Sequence, residues 1–228
     1  MEPVILVRSG TSAPGRAALE WAAREARLRG AALDVRHTPW HELVGASLIV
    51  CGVGGDEDVP LPAPGCLSAT PAGTARGPVV LVPGLLATSR HRPGVTVVVD
   101  PRDPCDAALC FAFESARIRG VRLHAVHAWA LPAGAVERPF GISERDRATW
   151  EDHEVQLLGD ALRPWREKFP DVRVLKDVRL LRPVEALLRC SERAALVVVP
   201  RGSAATVWNE AVRDLLRRAT CAVAVVPS

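Results

Sequence analysis

A duplicated α/β protein with a parallel sheet is the fold class this chain predicts, on three observations. Short β-branched runs alternate with stretches of helical periodicity. A glycine stops the first helix in each half at the same offset from its strand. Residues 4–39 also recur, without a gap, at residue number plus 90: Ala17-Ala18-Leu19 becomes Ala107-Ala108-Leu109, Gly30 becomes Gly120, Leu33 becomes Leu123 and His37 becomes His127. A second echo joins Leu48-Ile49-Val50-Cys51 to Leu196-Val197-Val198-Val199 at plus 148, and Pro78 to Pro83 to Ala222 to Pro227 at plus 144. A repeat of this kind sets the domain plan before any other feature is read. One unit is written twice, and the second copy has lost four residues from a loop that the first retains.

Each element follows from its own residues. Val4-Ile5-Leu6-Val7 and Val95-Thr96-Val97-Val98-Val99 are near-continuous apolar runs, the pattern of a parallel strand buried on both faces. A helix is expected from Pro14 to Arg29, closed by Gly30, and its twin from Pro104 to Arg119, closed by Gly120. Second strands follow at Ala32 to Arg36 and Arg122 to Ala128. Strand, helix and parallel strand make a right-handed crossover.

The copies then diverge. In the second, Ser143 and Asp146 resemble a capping box, and Val155, Leu158, Leu162, Trp165 and Phe169 form a stripe at helical spacing, with Pro164 expected to kink or break that helix near its end. Strand Val172 to Val178, helix Pro183 to Glu192, strand Ala195 to Val199, helix Val207 to Arg218 and strand Ala222 to Val226 complete an open five-stranded parallel sheet with helices on both faces. The first copy runs from Trp40 almost directly to the strand Ser47 to Cys51. It lacks about a helix and a strand, and is not expected to fold alone. The expected domains are therefore a truncated copy at residues 1–84, a linker at 85–93 and a complete copy at 94–228. So short a linker should leave the copies packed together, the first covering its bare apolar surface.

Composition excludes several function classes. With 48% apolar and 24% charged residues the chain reads as globular, and a net charge of +3 with 4% aromatic residues carries no nucleic-acid footprint. Twenty-seven arginines stand against two lysines, which points to a GC-rich coding bias. No run reaches the roughly 20 apolar residues of a membrane span, and the N-terminus lacks the pattern of a signal peptide, so a cytoplasmic protein is expected. The six cysteines (Cys51, Cys66, Cys105, Cys110, Cys190, Cys221) show no metal-ligand spacing and read as small buried hydrophobes.

One segment has the pattern of a phosphate cradle. Gly52-Val53-Gly54-Gly55 follows a strand of the first copy, and Gly65-Cys66 comes nine residues later. Glycines after a parallel strand let backbone N–H groups approach an anion, and a following helix N-terminus adds partial positive charge.

That spacing, with Gly15-Arg16-Ala17-Ala18-Leu19-Glu20-Trp21-Ala22, Leu123-His124-Ala125-Val126-His127-Ala128-Trp129 and the ending Arg217-Arg218-Ala219-Thr220-Cys221-Ala222-Val223-Ala224-Val225-Val226-Pro227, resembles a tandem universal stress protein. The resemblance implies the doubly wound, adenine-nucleotide α-hydrolase-like fold, pairing through the last strand, roles in stress tolerance and dormancy, and ATP binding in one subgroup. In that subgroup an Asp ending the first strand helps to hold the adenosine portion, and the glycine loop with its Ser or Thr holds the phosphates.

This chain departs from the pattern in both copies. The first keeps Gly52, Gly55 and Gly65, but Cys66 replaces the hydroxyl residue, Gly10 stands where the Asp should be, and Pro71 and Gly73 interrupt the following helix. The second keeps Asp100, but Pro200 replaces the first glycine, and Asn209-Glu210 stands where Gly and Ser or Thr are expected. Proline offers no N–H and a glutamate repels phosphate. Each copy holds half a site. If the copies pair through their last strands, the halves face different clefts and cannot be combined.

Other candidates carry less. Arg201-Gly202-Ser203 could make a small anion nest or an ordinary turn. His37 and His41 are separated by Pro39, and His124 and His127, an odd number apart on a strand, point to opposite faces. Trp21, Trp129 and Trp165 read as core or interface residues, and Ser9-Gly10-Thr11-Ser12 lacks the paired glycines of a pyrophosphate loop.

Two readings of function stay open. One is a non-catalytic stress-response protein with degenerate nucleotide sites that acts through its surfaces. The other is a nucleotide sensor in which one cleft still binds ATP, through Gly52, Gly55, Gly65 and Cys66 or through Asp100. No cofactor is required by the residues, no metal set is present, and an enzyme is disfavoured because no nucleophile and base can be paired. Expected partners are the two copies themselves, with a homodimer or a protein partner as further options, and neither nucleic acid nor membrane.

Overall fold

Among the described residues, runs of valine, leucine and isoleucine supply nine strands that join in a single sheet. The computed structural model describes residues 3–8, 11–37, 46–53, 75–83, 94–131, 143–201 and 215–227. In chain order the elements are β1 (Val4–Arg8), α1 (Ala13–Arg29), β2 (Ala32–Arg36), β3 (Leu48–Val53), β4 (Val79–Pro83), β5 (Val95–Val98), α2 (Asp106–Arg119), β6 (Leu123–Trp129), α3 (Glu144–Lys168), β7 (Val174–Leu180), α4 (Pro183–Ser191), β8 (Leu196–Arg201) and β9 (Ala222–Pro227). The strand order is β2-β1-β3-β4-β9-β8-β5-β6-β7.

Every neighbouring pair is parallel except β4 and β9, which run antiparallel with Val80 opposite Ala224. Strand direction therefore reverses once, at the middle of the sheet. The carboxyl ends of β1–β4 lie along one edge and those of β5–β9 along the opposite edge. Ligand crevices in open α/β sheets form at the carboxyl ends of strands, so any crevice of the first half opens away from any crevice of the second.

Helix boundaries have local causes. Ser12 Oγ accepts a hydrogen bond from Gly15 N at 2.9 Å, and Ser143 Oγ accepts one from Asp146 N at 3.1 Å, side-chain caps each worth about 1 kcal/mol. Gly30 and Gly120 close α1 and α2 with φ of 60° and 62°, and the N–H of each cap returns to the preceding turn. That left-handed conformation is penalised for a residue with a side chain.

The expected break at Pro164 and the expected stripe of α3 both need correction. The helix continues through Pro164 to Lys168. Its last turn is held by aromatic packing, since Trp165 and Phe169 lie 6.2 and 5.5 Å from the Phe113 ring of α2, and these contacts offset the hydrogen bond that proline removes. The buried stripe is Glu154, Leu158 and Leu162, while Val155 is exposed. The spacing of four selects residue 154, although it is charged.

Alternate residues of each strand face two cores. Ile5, Val7, Val50, Val82, Val97, Ala125 and Val198 pack with α1, α2 and α3 on one face. Leu6, Ile49, Leu81, Val98, Val126, Val199 and Val223 pack on the other with Ala186, Leu187 and Cys190 of α4 and with Leu215 and Leu216. Each fully buried side chain of this size contributes about 1.5–3 kcal/mol. Among the described residues no helix is long and apolar enough to cross a membrane.

One buried polar cluster joins the halves where α1 meets α2. Glu25 is 1% exposed and accepts from Arg29 Nε at 2.6 Å and from Arg119 Nη2. Arg29 Nη2 donates to Ser115 Oγ at 2.9 Å, and Arg119 Nη1 to the Ser115 carbonyl at 3.0 Å. By the sequence offset of 90, Arg29 corresponds to Arg119 and Glu25 to Ser115. Two corresponding arginines thus share one carboxylate, supplied by the first half alone. Burial lowers the Arg119 pKa, and Glu25 partly restores it.

Candidate functional site

The two described members of the sequence-predicted cradle, Gly52 and Asp100, stand on opposite edges of the sheet. Gly55, Gly65 and Cys66 lie outside the described residues, as do Gly10, Pro71, Gly73, the linker, His41, Gly202, Ser203, Asn209 and Glu210. Gly52 sits in β3 against the first turn of α1. A Cβ there would come within 2.6 Å of Pro14 C, 2.7 Å of Pro14 O and 2.8 Å of Gly15 N. The space that this glycine opens is filled by the protein's own backbone.

The second half has a formed crevice. At the end of β5, Asp100 Oδ1 accepts from Arg102 N at 3.0 Å, which turns the chain toward α2. A cavity of about 290 Å³ lies beside it, lined by Val99, Asp100 and Arg102, by the end of β6, by Glu154 of α3 and by Pro183 at the start of α4.

A chain of paired groups forms one wall. His127, 4% exposed, has Nδ1 3.1 Å from the Val99 carbonyl, which can only accept, and Nε2 3.0 Å from Glu154 Oε2. Arg102 grips the same carboxylate through both terminal nitrogens, at 2.7 and 2.5 Å, the two-pronged geometry that guanidinium favours. These Arg102 hydrogen bonds hold the Glu154 carboxyl below its ordinary range; burial opposes the shift and His127 adds to it. Arg102 and Glu154 were not visible as site residues in the sequence, since nothing local marks a turn arginine and a helix glutamate 52 positions apart as partners.

His124 faces the other way, as the strand period requires, with Nε2 2.9 Å from Asp177 Oδ2. Burial opposes ionisation of Asp177, but hydrogen bonds from Arg179 and His124 prevail and its pKa is lowered. Burial pushes the Cys190 thiol up to about 11 and the Cys221 thiol up to about 12, well away from the range of a reactive thiolate. Among the described residues no group of three His, Cys, Asp or Glu could hold a metal ion.

The second-half counterpart of Gly52, by the offset of 148, is Pro200 at the end of β8. Strand β8 ends in Pro200 and Arg201, paired with Val226 and Pro227 of β9. Pro200 brings no N–H, and Arg201 Nη1 donates across the sheet to the Ala75 carbonyl at 2.7 Å.

A mostly parallel sheet with helices on both faces and a crevice at the carboxyl ends of its strands defines the open, doubly wound class of α/β protein. Residues 94–227 match the family model described as the universal stress protein family, and the chain belongs to that family. It is 36% identical over 129 residues to a universal stress protein of Mycolicibacterium smegmatis, covering 55% of this chain and 41% of that protein. With a universal stress protein of Mycobacterium tuberculosis it shares 33% identity over 156 residues, 67% of this chain and 49% of the relative. The chain spans about half the length of the curated relatives it matches. In fold it resembles a universal stress protein of Archaeoglobus fulgidus, with a TM-score of 0.58 at 13% identity, covering 98% of this chain and 96% of the other. A protein of unknown function from Pseudomonas aeruginosa gives a TM-score of 0.51 at 14% identity, covering 98% and 81%.

Proposed function

We propose that this chain is a non-catalytic stress-response protein made of two copies of one unit, with degenerate nucleotide sites, acting through its surfaces. One observation carries the reading: in the first half the Pro14–Gly15 backbone fills the space that Gly52 opens, and in the second Pro200 removes a backbone N–H while Arg201 is tied to the Ala75 carbonyl. Arg102 already pairs with Glu154 and His127 is hydrogen-bonded to the same carboxylate, which leaves them ill suited to acid–base work.

The experiment is a thermal-shift titration with ATP, ADP and AMP, with and without magnesium. No response up to millimolar nucleotide is expected. A saturable rise would overturn the reading, since ligand at about 100 times its dissociation constant adds roughly 2.7 kcal/mol.

The cavity beside Asp100 favours a second reading, a nucleotide sensor. On that reading the second half binds the adenosine portion, and Asp100→Ala abolishes the rise.

A further inference from the structure

Strand β2 ends the sheet on the side of the first half, with β1 as its one neighbour among the described residues. Ala32 N donates to the Pro3 carbonyl on the β1 side at 3.0 Å. Backbone groups alternate in direction along a strand, so those of Leu33 and Val35 point away from β1. The repeat shows how such an edge is used. Leu123, the counterpart of Leu33 by the offset of 90, donates its N–H to the Arg173 carbonyl at 2.9 Å, and β6 pairs with β7 from Leu123 to Trp129. His124, the counterpart of Asp34, reaches over that edge to Asp177 at 2.9 Å.

The residues of β2 are complementary to themselves. Asp34 and Arg36 share one face of the strand and Val35 takes the other. Val35 is 42% exposed, whereas its counterpart Ala125 is 0% exposed beside β7. With two β2 strands antiparallel and Val35 at the centre, Asp34 of each lies opposite Arg36 of the other, at the closer, non-hydrogen-bonded positions. The Val35 N–H and carbonyl groups then exchange two hydrogen bonds, and those of Leu33 meet His37 of the other strand. Centring on residue 34 or 36 would instead set like charges face to face. The fold already makes one junction of this type: in the β4–β9 pair, Val80 stands opposite Ala224, its own counterpart by the offset of 144.

We propose that β2 is a docking surface for a second copy of this chain, joined antiparallel about Val35, so that the sheet continues across a twofold axis and Asp34 of each copy pairs with Arg36 of the other. Within one chain these side chains meet at 2.8 Å and are 39% and 44% exposed, so both are accessible to the second copy. Strands this short bury less than a standard interface, and the dimer is expected to be weak, with a dissociation constant of about 10–100 µM. The proposal rests on neither nucleotide reading.

The test is sedimentation velocity of the full chain over about a hundredfold range of concentration around that value. Wild type is expected to pass from monomer to dimer. Asp34→Arg, which faces arginine with arginine, and Arg36→Asp, which faces aspartate with aspartate, should each weaken the dimer about tenfold or more. An equimolar mixture of the two variants should associate again, because every opposed pair is then of opposite sign. The double variant, Asp34→Arg with Arg36→Asp, should dimerise by itself for the same reason. Both positions are exposed, so melting temperatures should stay near wild type.

A wild type that is monomeric at every concentration would overturn the proposal and leave the edge to a strand from a different protein. A dimer that neither single substitution weakens would overturn it by placing the contact elsewhere, as would single variants that stay monomeric when mixed.

Discussion

Replacing Glu25 with glutamine tests what joins the two halves. The carboxylate is 1% exposed, while the side chains of Arg29 and Arg119 are 18% and 13% exposed. Glutamine preserves shape and removes the one carboxylate that both partly buried guanidinium groups share, leaving Arg29 only the more exposed Glu114 carboxylate at 3.9 Å. Breaking a buried ion pair by removing one partner costs about 3–5 kcal/mol, and partial access of water to both arginines places this case near the low end, at about 3 kcal/mol. For a chain of this length that lowers the melting temperature by roughly 6–12 °C. Calorimetry and urea unfolding should agree on the loss. The offset of 90 supplies a sharper control. Because Arg29 and Arg119 each contact both position 25 and position 115, moving the carboxylate across the junction, with Glu25→Ser and Ser115→Glu together, should recover more than half of the loss. A Glu25→Gln effect below about 1 kcal/mol, or a double variant no more stable than Glu25→Ser alone, would refute the reasoning.

Two further outcomes are expected. Gly52→Ala should destabilise by about 1–3 kcal/mol in urea unfolding, because its Cβ meets immovable backbone 2.6 Å away; Gly77→Ala, whose nearest neighbour is the Ala46 carbonyl at 3.5 Å, should change stability by less than about 0.5 kcal/mol. The folded-state pKa of Glu154 lies below its ordinary value of 4.5, so its stabilising contribution is complete above that value and is lost as pH falls through the folded pKa. The gap in urea midpoint between wild type and Glu154→Gln should therefore be constant from about pH 5 to 7 and narrow below pH 4.5, and a gap that widens on acidification would contradict the assignment.

The parallel α/β class was legible because its signals are local. Val4 to Val7 and Val95 to Val99 are too uniformly apolar to sit on a half-exposed sheet, and Gly30 and Gly120 mark helix ends with positive φ. The polar clusters were not legible. Glu25 and Glu154 sit at buried helix positions where periodicity calls for an apolar residue, and each takes part of its pairing from an arginine far off in sequence, Arg119 and Arg102. The apolar stripe read along α3 starts at Val155, whereas the buried position one residue earlier is the charged Glu154. Gly52 shows a different limit. Glycine after a strand signals close approach of something to the backbone, and sequence cannot say whether that is a phosphate or, as here, the first turn of α1.

The antiparallel seam of Val79, Val80 and Leu81 against Val225, Ala224 and Val223 also fixes stoichiometry. Because both strands belong to one chain, their pairing is intramolecular, at an effective concentration of about millimolar or more set by the covalent connection. Dilution cannot separate them, and any related chain competing for either last strand must reach that concentration before it exchanges in. Among the described residues, the outer strands of the sheet are β2 and β7.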